Sequence, residues 1–230
     1  MGMSRQVLIF DADDTLWENN ILFERVIADY LEWVDHPTLS RAEVRQVLDD
    51  IERANAVTHG YGTKMLLLSL RECFEKLQER PPTDEEHATI DQLAAALVNY
   101  EIELMPDVPE TLDKLGERHE LLMLTKGNAE EQQRKVDSST IANKFAGIHI
   151  VAEKHIGTYH TLIDQYQLNV ADTWMIGNSP RSDIRPARAA GLNAVFIPHP
   201  HTWVLEHDEV DESDDRILTV HAFRDLLDHF

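Results

Sequence analysis

The sequence predicts an α/β fold in which a parallel sheet core carries an inserted domain of four helices. From residue 106 onward, strand-like runs alternate with helical ones, the pattern of a parallel sheet with helices on both faces. The apolar run Val7–Phe10 is typical of a strand buried on both faces of such a sheet. A strand–helix–strand unit needs only about 30 residues, so the longer helical stretch that follows is an insertion. We therefore expect a Rossmann-like core, residues 1–16 and 106–230, and a helical cap, residues 17–105.

The inserted stretch carries the start and stop signals of four helices. Residues 40–43 and 83–86 have the Ser/Thr-x-x-Glu pattern of the capping box that opens a helix. The proline pair 81–82 separates the third helix from the fourth, and residues 59–62, His-Gly-Tyr-Gly, form a flexible joint between the second and the third. Two apolar stripes at helical spacing predict buried helix faces: Leu66, Leu70, Phe74 and Leu77, then Ile90, Leu93, Leu97, Tyr100 and Leu104.

The second half of the chain supplies the rest of the sheet. We expect strands at 121–124, 148–151, 173–176 and 194–197, and helices near 128–137, 158–167 and 182–190. The acidic run 206–215 is expected to be a solvated loop.

Composition excludes several classes of partner. The formal net charge of −21 argues against nonspecific binding to nucleic acid or to an anionic membrane, and no apolar run approaches the length of a membrane span. The single cysteine, Cys73, excludes an internal disulfide and fits a reducing compartment. Because the N-terminal residues also lack the pattern of an export signal, we expect a cytoplasmic protein, as a monomer or homodimer.

Polar side chains follow four of the predicted strands. The carboxyl ends of parallel strands form one edge of a sheet, where ligands bind. Crowded carboxylates at such an edge repel one another and are most easily explained by a bound cation, and free amides at a helix start are good anion donors. The residues concerned are Asp11 and Asp13 after the first strand, Thr125 and Lys126 at the second, Lys154 after the third, and Asn178 and Asp183 after the fourth.

The order of these motifs resembles that of the haloacid dehalogenase-like hydrolase superfamily. It runs Asp-x-Asp-x-Thr, then Thr after an apolar run, then Lys, then Gly-Asn-x-x-x-x-Asp, across essentially the whole chain. The position of the insertion looks like the subclass with a helical cap between the first and second motifs, and the pattern is most similar to its phosphatases. The resemblance implies a Mg²⁺-dependent phosphatase that hydrolyses a small phosphomonoester, of the nucleotide or sugar phosphate type, through an aspartyl-phosphate.

The resemblance also implies a role for each motif residue. Asp11 would be the nucleophile, and Asp13 would protonate the leaving oxygen and then activate water. Thr125 and the amide of Lys126 would hold the phosphoryl oxygens, while Lys154 would add a fixed positive charge. The implied Mg²⁺ ligands are Asp11, the backbone carbonyl of Asp13, Asp183 and Asn178.

One departure and several alternatives accompany this interpretation. Asn178 stands where the family usually has Asp, so a lower metal affinity is expected. His59 and Tyr61, in the joint between helices, are candidate substrate-binding residues. A phosphomutase shares the same machinery, whereas a dehalogenase needs neither the acid at Asp13 nor the metal. A catalytically weak binding or signalling protein is the alternative outside enzymes, although signalling receivers are shorter and carry no helical cap.

Overall fold

A computed structural model describes residues 5–98 and 100–230, so the first four residues of the predicted core segment 1–16 lie outside the described residues. The chain divides into two compact units. An α/β unit contains the residues up to Asn20 together with Ile102–Phe230, and a helical unit contains Ile21–Glu101. The α/β unit therefore extends four residues beyond each boundary expected from the sequence.

The α/β unit is built on a six-stranded parallel sheet of order β3-β2-β1-β4-β5-β6. The predicted α/β class and the first five strands are confirmed, and a short sixth strand follows the acidic run. The strands are β1 (Val7–Phe10), β2 (Glu120–Lys126), β3 (Gly147–Val151), β4 (Thr173–Gly177), β5 (Asn193–Phe196) and β6 (Ile217–Thr219).

Four α-helices of this unit connect the strands: α5 (Val108–Gly116), α6 (Ala129–Ser138), α7 (Ile156–Tyr166) and α8 (Arg185–Ala189). A π-helical turn, Pro180–Ile184, leads into α8. Helix α5 was not expected from the sequence; it begins beside Pro109 and buries Val108, Leu112 and Leu115. Prolines are tolerated in the first turn of a helix, so Pro109 marks a start here rather than a break.

Both faces of the sheet are buried, which explains the unbroken apolar character of β1. Leu8 and Phe10 pack into one cluster with Leu112 of α5, whereas Ile9 packs into another with Leu162 of α7. Successive side chains of a strand point to opposite faces, so a strand covered on both sides needs apolar residues at every position. This packing fixes where β1 ends and holds the following residues, 11–15, at the carboxyl edge of the sheet.

The helical unit consists of α1 (Asn20–Val34), α2 (Arg41–His59), α3 (Thr63–Gln78) and α4 (Asp84–Ala94). Capping boxes at Ser40 and Thr83 are both present, as predicted. The prediction that the apolar residues from Ile90 to Leu104 lie on one helix is partly wrong. Helix α4 ends at Ala94, and Leu104 forms a bridge with Trp17 inside the α/β unit. Every helix in the described part of the chain is too short or too polar to cross a membrane.

Candidate active site

The site begins where β1 ends. The Asp11 amide still donates to the Ile176 carbonyl of β4, at 2.9 Å, so Asp11 prolongs the sheet ladder by one residue. Its carboxylate is buried together with those of Asp183 and the ammonium of Lys154. Three strand ends that are far apart in sequence thus deliver charged side chains to one place, as the topology of a parallel sheet allows.

Lys154 bridges the two buried carboxylates. Its Nζ donates to Asp11 Oδ1 and, at 2.8 Å, to Asp183 Oδ1. Burial and the neighbouring charge of Asp183 raise the pKa of Asp11 to about 7, and burial also raises the pKa of Asp183. Although burial opposes the charged form of Lys154, the two carboxylates raise the pKa of this lysine. The lysine is therefore a permanent cation within a cluster that holds one more acid than base.

A glycine makes room for Asp183. A Cβ added at Gly177 would lie 2.2 Å from Asp183 Oδ2, closer than any side chain tolerates. The same oxygen accepts the Ser179 amide at 3.0 Å, so the loop after β4 wraps closely around the carboxylate. The Gly177 of the sequence motif is required by this close approach.

Thr15 and Asn178 complete the buried cluster. The Thr15 hydroxyl lies 3.1 Å from Asp11 Oδ2 and 3.2 Å from Asn178 Oδ1, and it accepts the Asn178 amide at 3.2 Å. The Asn178 side chain donates to Thr202 Oγ1 at 2.9 Å, which leaves its Oδ1 facing the Thr15 hydroxyl. Thr15 was only part of the motif pattern in the sequence, and its role as a link between the first and fourth motifs emerges from the fold.

Asp13 has different neighbours. Its carboxylate accepts Lys135 Nζ at 3.0 and 2.9 Å, the Trp17 indole N–H at 2.7 Å and the Gln132 amide at 3.1 Å. Gln132 also donates to Thr125 Oγ1 at 2.6 Å. Sequence reasoning missed Gln132 and Lys135; the available signal was their spacing, which places both polar residues on one side of a helix that must pack against the sheet.

The ammonium group of Lys126 is held by side chains of the protein itself. Its Nζ donates to Glu206 Oε1 at 2.6 Å and to Ser182 Oγ at 2.8 Å. Glu206 also accepts the hydroxyls of Ser179 and Ser182, both at 2.5 Å. The expectation that all of 206–215 is a solvated loop is wrong for Glu206, which is buried. Although burial opposes it, the charge of Lys126 lowers the pKa of Glu206.

The remaining predicted residues lie as follows. Thr125 is buried in β2, and the cap of the following helix is Asn128, whose side chain accepts the Glu131 amide. His59 ends α2 and Tyr61 lies between α2 and α3. Both belong to the helical unit, and their part in substrate binding stays a prediction.

The buried cluster fits a hard divalent cation. Asp11 and Asp183 bring two carboxylates, Lys154 balances one of them, and Asn178 adds a neutral amide oxygen. Oxygen donors with an excess of negative charge suit Mg²⁺. A residue whose backbone carbonyl could join them, Asp13, follows two positions after Asp11.

A second group of potential ligands lies in the same unit. One ligand atom each of Asp14, Glu18 and His199 falls within 4.8 Å of the others. Asp14 Oδ1 already accepts the amides of Asn19 and Asn20, both at 2.9 Å, and His199 Nε2 lies 3.3 Å from Glu18 Oε2. Asp14 thus already binds backbone amides at the start of α1, whereas Glu18 Oε2 is buried without a hydrogen-bond partner among the residues that the structure describes.

Comparisons with known proteins find one family of hydrolases. A family model for haloacid dehalogenase-like hydrolases matches residues 6–191. A haloacid dehalogenase-like family hydrolase from Xanthomonas campestris is similar in structure, with a TM-score of 0.84, 25% identity, and coverage of 97% of this chain and 93% of that one. A search of curated proteins finds no match.

Two further structures are similar in fold. A predicted phosphoglycolate phosphatase from Haemophilus somnus has a TM-score of 0.67 and 20% identity, with 99% of each chain covered. A 2-haloacid dehalogenase from Pseudomonas syringae has a TM-score of 0.62 and 17% identity, with 97% of each chain covered. At these identities the two similarities show a shared fold, which serves both kinds of hydrolase.

Proposed function

The chain belongs to the haloacid dehalogenase-like hydrolases, and from that premise we propose that it is a Mg²⁺-dependent phosphatase that acts on a small phosphomonoester through an aspartyl-phosphate. The observation that carries the proposal is the buried pair Asp11 and Asp183 with Lys154 between them. Two carboxylates with one ammonium leave an unbalanced negative charge away from water, which a divalent cation would neutralise. The substrates we expect are phosphorylated metabolites in the cytoplasm.

In the first half of the proposed reaction, a carboxylate oxygen of Asp11 attacks phosphorus. A bond forms between that oxygen and phosphorus, the bond from phosphorus to the leaving oxygen breaks, and the leaving oxygen takes a proton from Asp13. Lys154, fixed against Asp11, favours the ionised nucleophile and stabilises the charge of the transferring group. Bound Mg²⁺ would supply further neutralisation of phosphate charge.

In the second half, water attacks phosphorus and gives a proton to Asp13. The bond between phosphorus and Asp11 breaks, so inorganic phosphate leaves and the Asp11 carboxylate is restored. The hydroxyl of Thr125 and the amide of Lys126, at the carboxyl end of β2, are the donors we assign to the phosphoryl oxygens. Acid–base help of the kind assigned to Asp13 contributes about 10²–10⁴ in rate.

Asp13 favours this function over dehalogenation. A dehalogenase of the same family displaces halide, which needs no proton, so an acid two residues after the nucleophile has no task there. Here the carboxylate at that position is held by three donors, those of Trp17, Gln132 and Lys135, in the same unit as the nucleophile and in the form that can take the proton of an attacking water.

The test is phosphate release from a panel of phosphomonoesters, measured with Mg²⁺ and again with EDTA. We expect release that requires the metal, and halide release from 2-haloacids at background level. Halide release without phosphate release would replace the phosphatase proposal with the dehalogenase alternative. Activity that is unchanged in EDTA would contradict the assignment of Asp11, Asp183 and Asn178 as metal ligands.

A further inference from the structure

Two residues of α6 contact Asp13 without being part of any motif. Lys135 and Gln132 stand three positions apart and therefore share one side of the helix. Both are buried, with 3% and 2% of their surface exposed. A lysine in the last turn of a helix usually lies at the surface near the helix carbonyls, so the burial of Lys135 against Asp13 needs another explanation.

The contacts fix the Asp13 carboxylate in one orientation. Lys135 reaches both of its oxygens, at 3.0 and 2.9 Å, Trp17 holds Oδ1 and Gln132 holds Oδ2. Lys135 is itself tied to Asn19 Oδ1 at 2.7 Å. A carboxylate held by donors from three side chains cannot rotate freely, and fixed orientation of a reacting group is a large part of catalysis.

Gln132 connects this carboxylate to the proposed phosphoryl site. Its single amide nitrogen donates to Asp13 Oδ2 at 3.1 Å and to Thr125 Oγ1 at 2.6 Å. The chain leaves space for it at Gly127, where an added Cβ would lie 3.1 Å from Gln132 Cγ. The amide thus sets the distance between the residue assigned to proton transfer and the residue assigned to phosphate binding.

We propose that Gln132 and Lys135 are positioning residues that orient Asp13 toward the water that hydrolyses the aspartyl-phosphate. The inference rests on the proposed function and deepens it. In the step concerned, a bond forms between the water oxygen and phosphorus, the bond from phosphorus to Asp11 breaks, and the water proton passes to Asp13. A misplaced Asp13 slows this step, so the phosphoenzyme accumulates.

The experiment measures the decay of the phosphoenzyme in Gln132→Leu and Lys135→Met, with Gln133→Leu as the matched control. Gln133 is the exposed neighbour on α6 and binds Asp137. Each protein is mixed with p-nitrophenyl phosphate and Mg²⁺, then quenched in acid at successive times for intact mass analysis. We expect decay about 10²-fold slower in the two test variants and unchanged in the control. Unchanged or faster decay in Gln132→Leu would overturn the inference.

A double-mutant cycle separates positioning from mere structural support. If Gln132 acts through Asp13, then adding Gln132→Leu to Asp13→Asn slows decay no further. Equal slowing in both backgrounds would mean that Gln132 only supports the fold, and the inference fails. Should Lys135→Met not fold, Gln132→Leu decides alone, because it removes a neutral group of similar size.

Failure of the inference is distinguishable from failure of the proposed function. A wild-type chain that forms no phosphoenzyme and releases no phosphate contradicts the proposed function itself. A wild-type chain that does both, alongside test variants that behave like the control, contradicts only the role of Gln132 and Lys135.

Discussion

The two units bury acidic side chains in different ways. In the α/β unit, Asp11 and Asp183 share the ammonium of Lys154. In the helical unit, Glu52 of α2 is buried, and its Oε2 has no hydrogen-bond partner among the residues that the structure describes. The nearby Arg45 is already bound to Glu24 and Asp49. Burial raises the pKa of Glu52 to about 7, as it does for Asp11.

The difference shows that a raised pKa alone does not identify an active site. Structural burial and functional burial both disfavour the charged form of a carboxyl group. The α/β cluster differs because it joins three strand ends and contains its own cation. Substitutions in either unit test this comparison, and the largest effect is expected at the nucleophile.

Asp11→Asn should abolish turnover while the fold stays intact. An amide cannot replace the carboxylate nucleophile, so we expect phosphate release to fall by about 10³-fold or more. The exposed Asp215→Asn is the control. Residual activity above a few per cent of wild type, in a variant with unchanged circular dichroism, would show that Asp11 is not the nucleophile.

Lys154→Met should destabilise the α/β unit. Removing one partner of a buried ion pair costs about 3–5 kcal/mol, here because Asp11 and Asp183 lose their only described ammonium partner. The pKa of Asp11 is raised from 3.8 to about 7, so its carboxyl group is mostly neutral at pH 5 and ionised at pH 8. The stability that the neutral form contributes is present below pH 4 and is lost as pH rises through 7. Urea unfolding should therefore show a larger loss at pH 8 than at pH 5, and Lys114→Met, which is exposed, should show none.

Glu206→Gln should weaken the link between β2 and the loop after β4. The variant removes the closer and more buried of the two carboxylates that bind Lys126, leaving Glu153 at 3.3 Å, and we expect a loss of about 1–3 kcal/mol. Because the pKa of Glu206 is lowered, its contribution is present above the ordinary value of 4.5 and disappears as pH falls. The exposed Glu209→Gln serves as the control, and an equal loss at pH 3 and pH 7 would contradict this interpretation.

Glu52→Gln should stabilise the helical unit at high pH. A neutral amide removes the penalty of a buried charge, so we expect a gain of about 1–2 kcal/mol at pH 8 that shrinks toward zero at pH 4. Urea unfolding of the full chain at both pH values measures it, with the exposed Glu75→Gln as control. Destabilisation at pH 8 would mean that Glu52 is ionised and held by a favourable field.

The sequence predicts much of the fold because its strongest signals are local. Val7–Phe10 and four later apolar runs mark the first five strands, and residues 40–43 and 83–86 mark two helix starts. The three-residue β6 was missed because so short a run carries no periodic signal. The end of α4 was missed because Leu104, which fits the helical stripe, packs beside Trp17 instead.

The candidate site was predictable only in part. Residues directly after strands, such as Asp11 and Asp183, follow from the topology of a parallel sheet. Gln132 and Lys135 look like ordinary polar residues of a surface helix until the fold brings them to Asp13. Glu206 looks like one member of a solvated acidic run, and only the fold places it against Lys126. The spacing of Gln132 and Lys135 places them on one side of a helix, but a single chain carries no signal for the distant residue that each side chain meets.

The measurement that tests the account most directly is the identification of the phosphorylated residue. Wild-type protein is quenched in acid during turnover of p-nitrophenyl phosphate with Mg²⁺, and its peptides are examined by mass spectrometry. The account predicts a phosphoryl group on Asp11, absent when EDTA replaces the metal. Phosphate release without a phosphoryl group on Asp11, or with one on another residue, would contradict it.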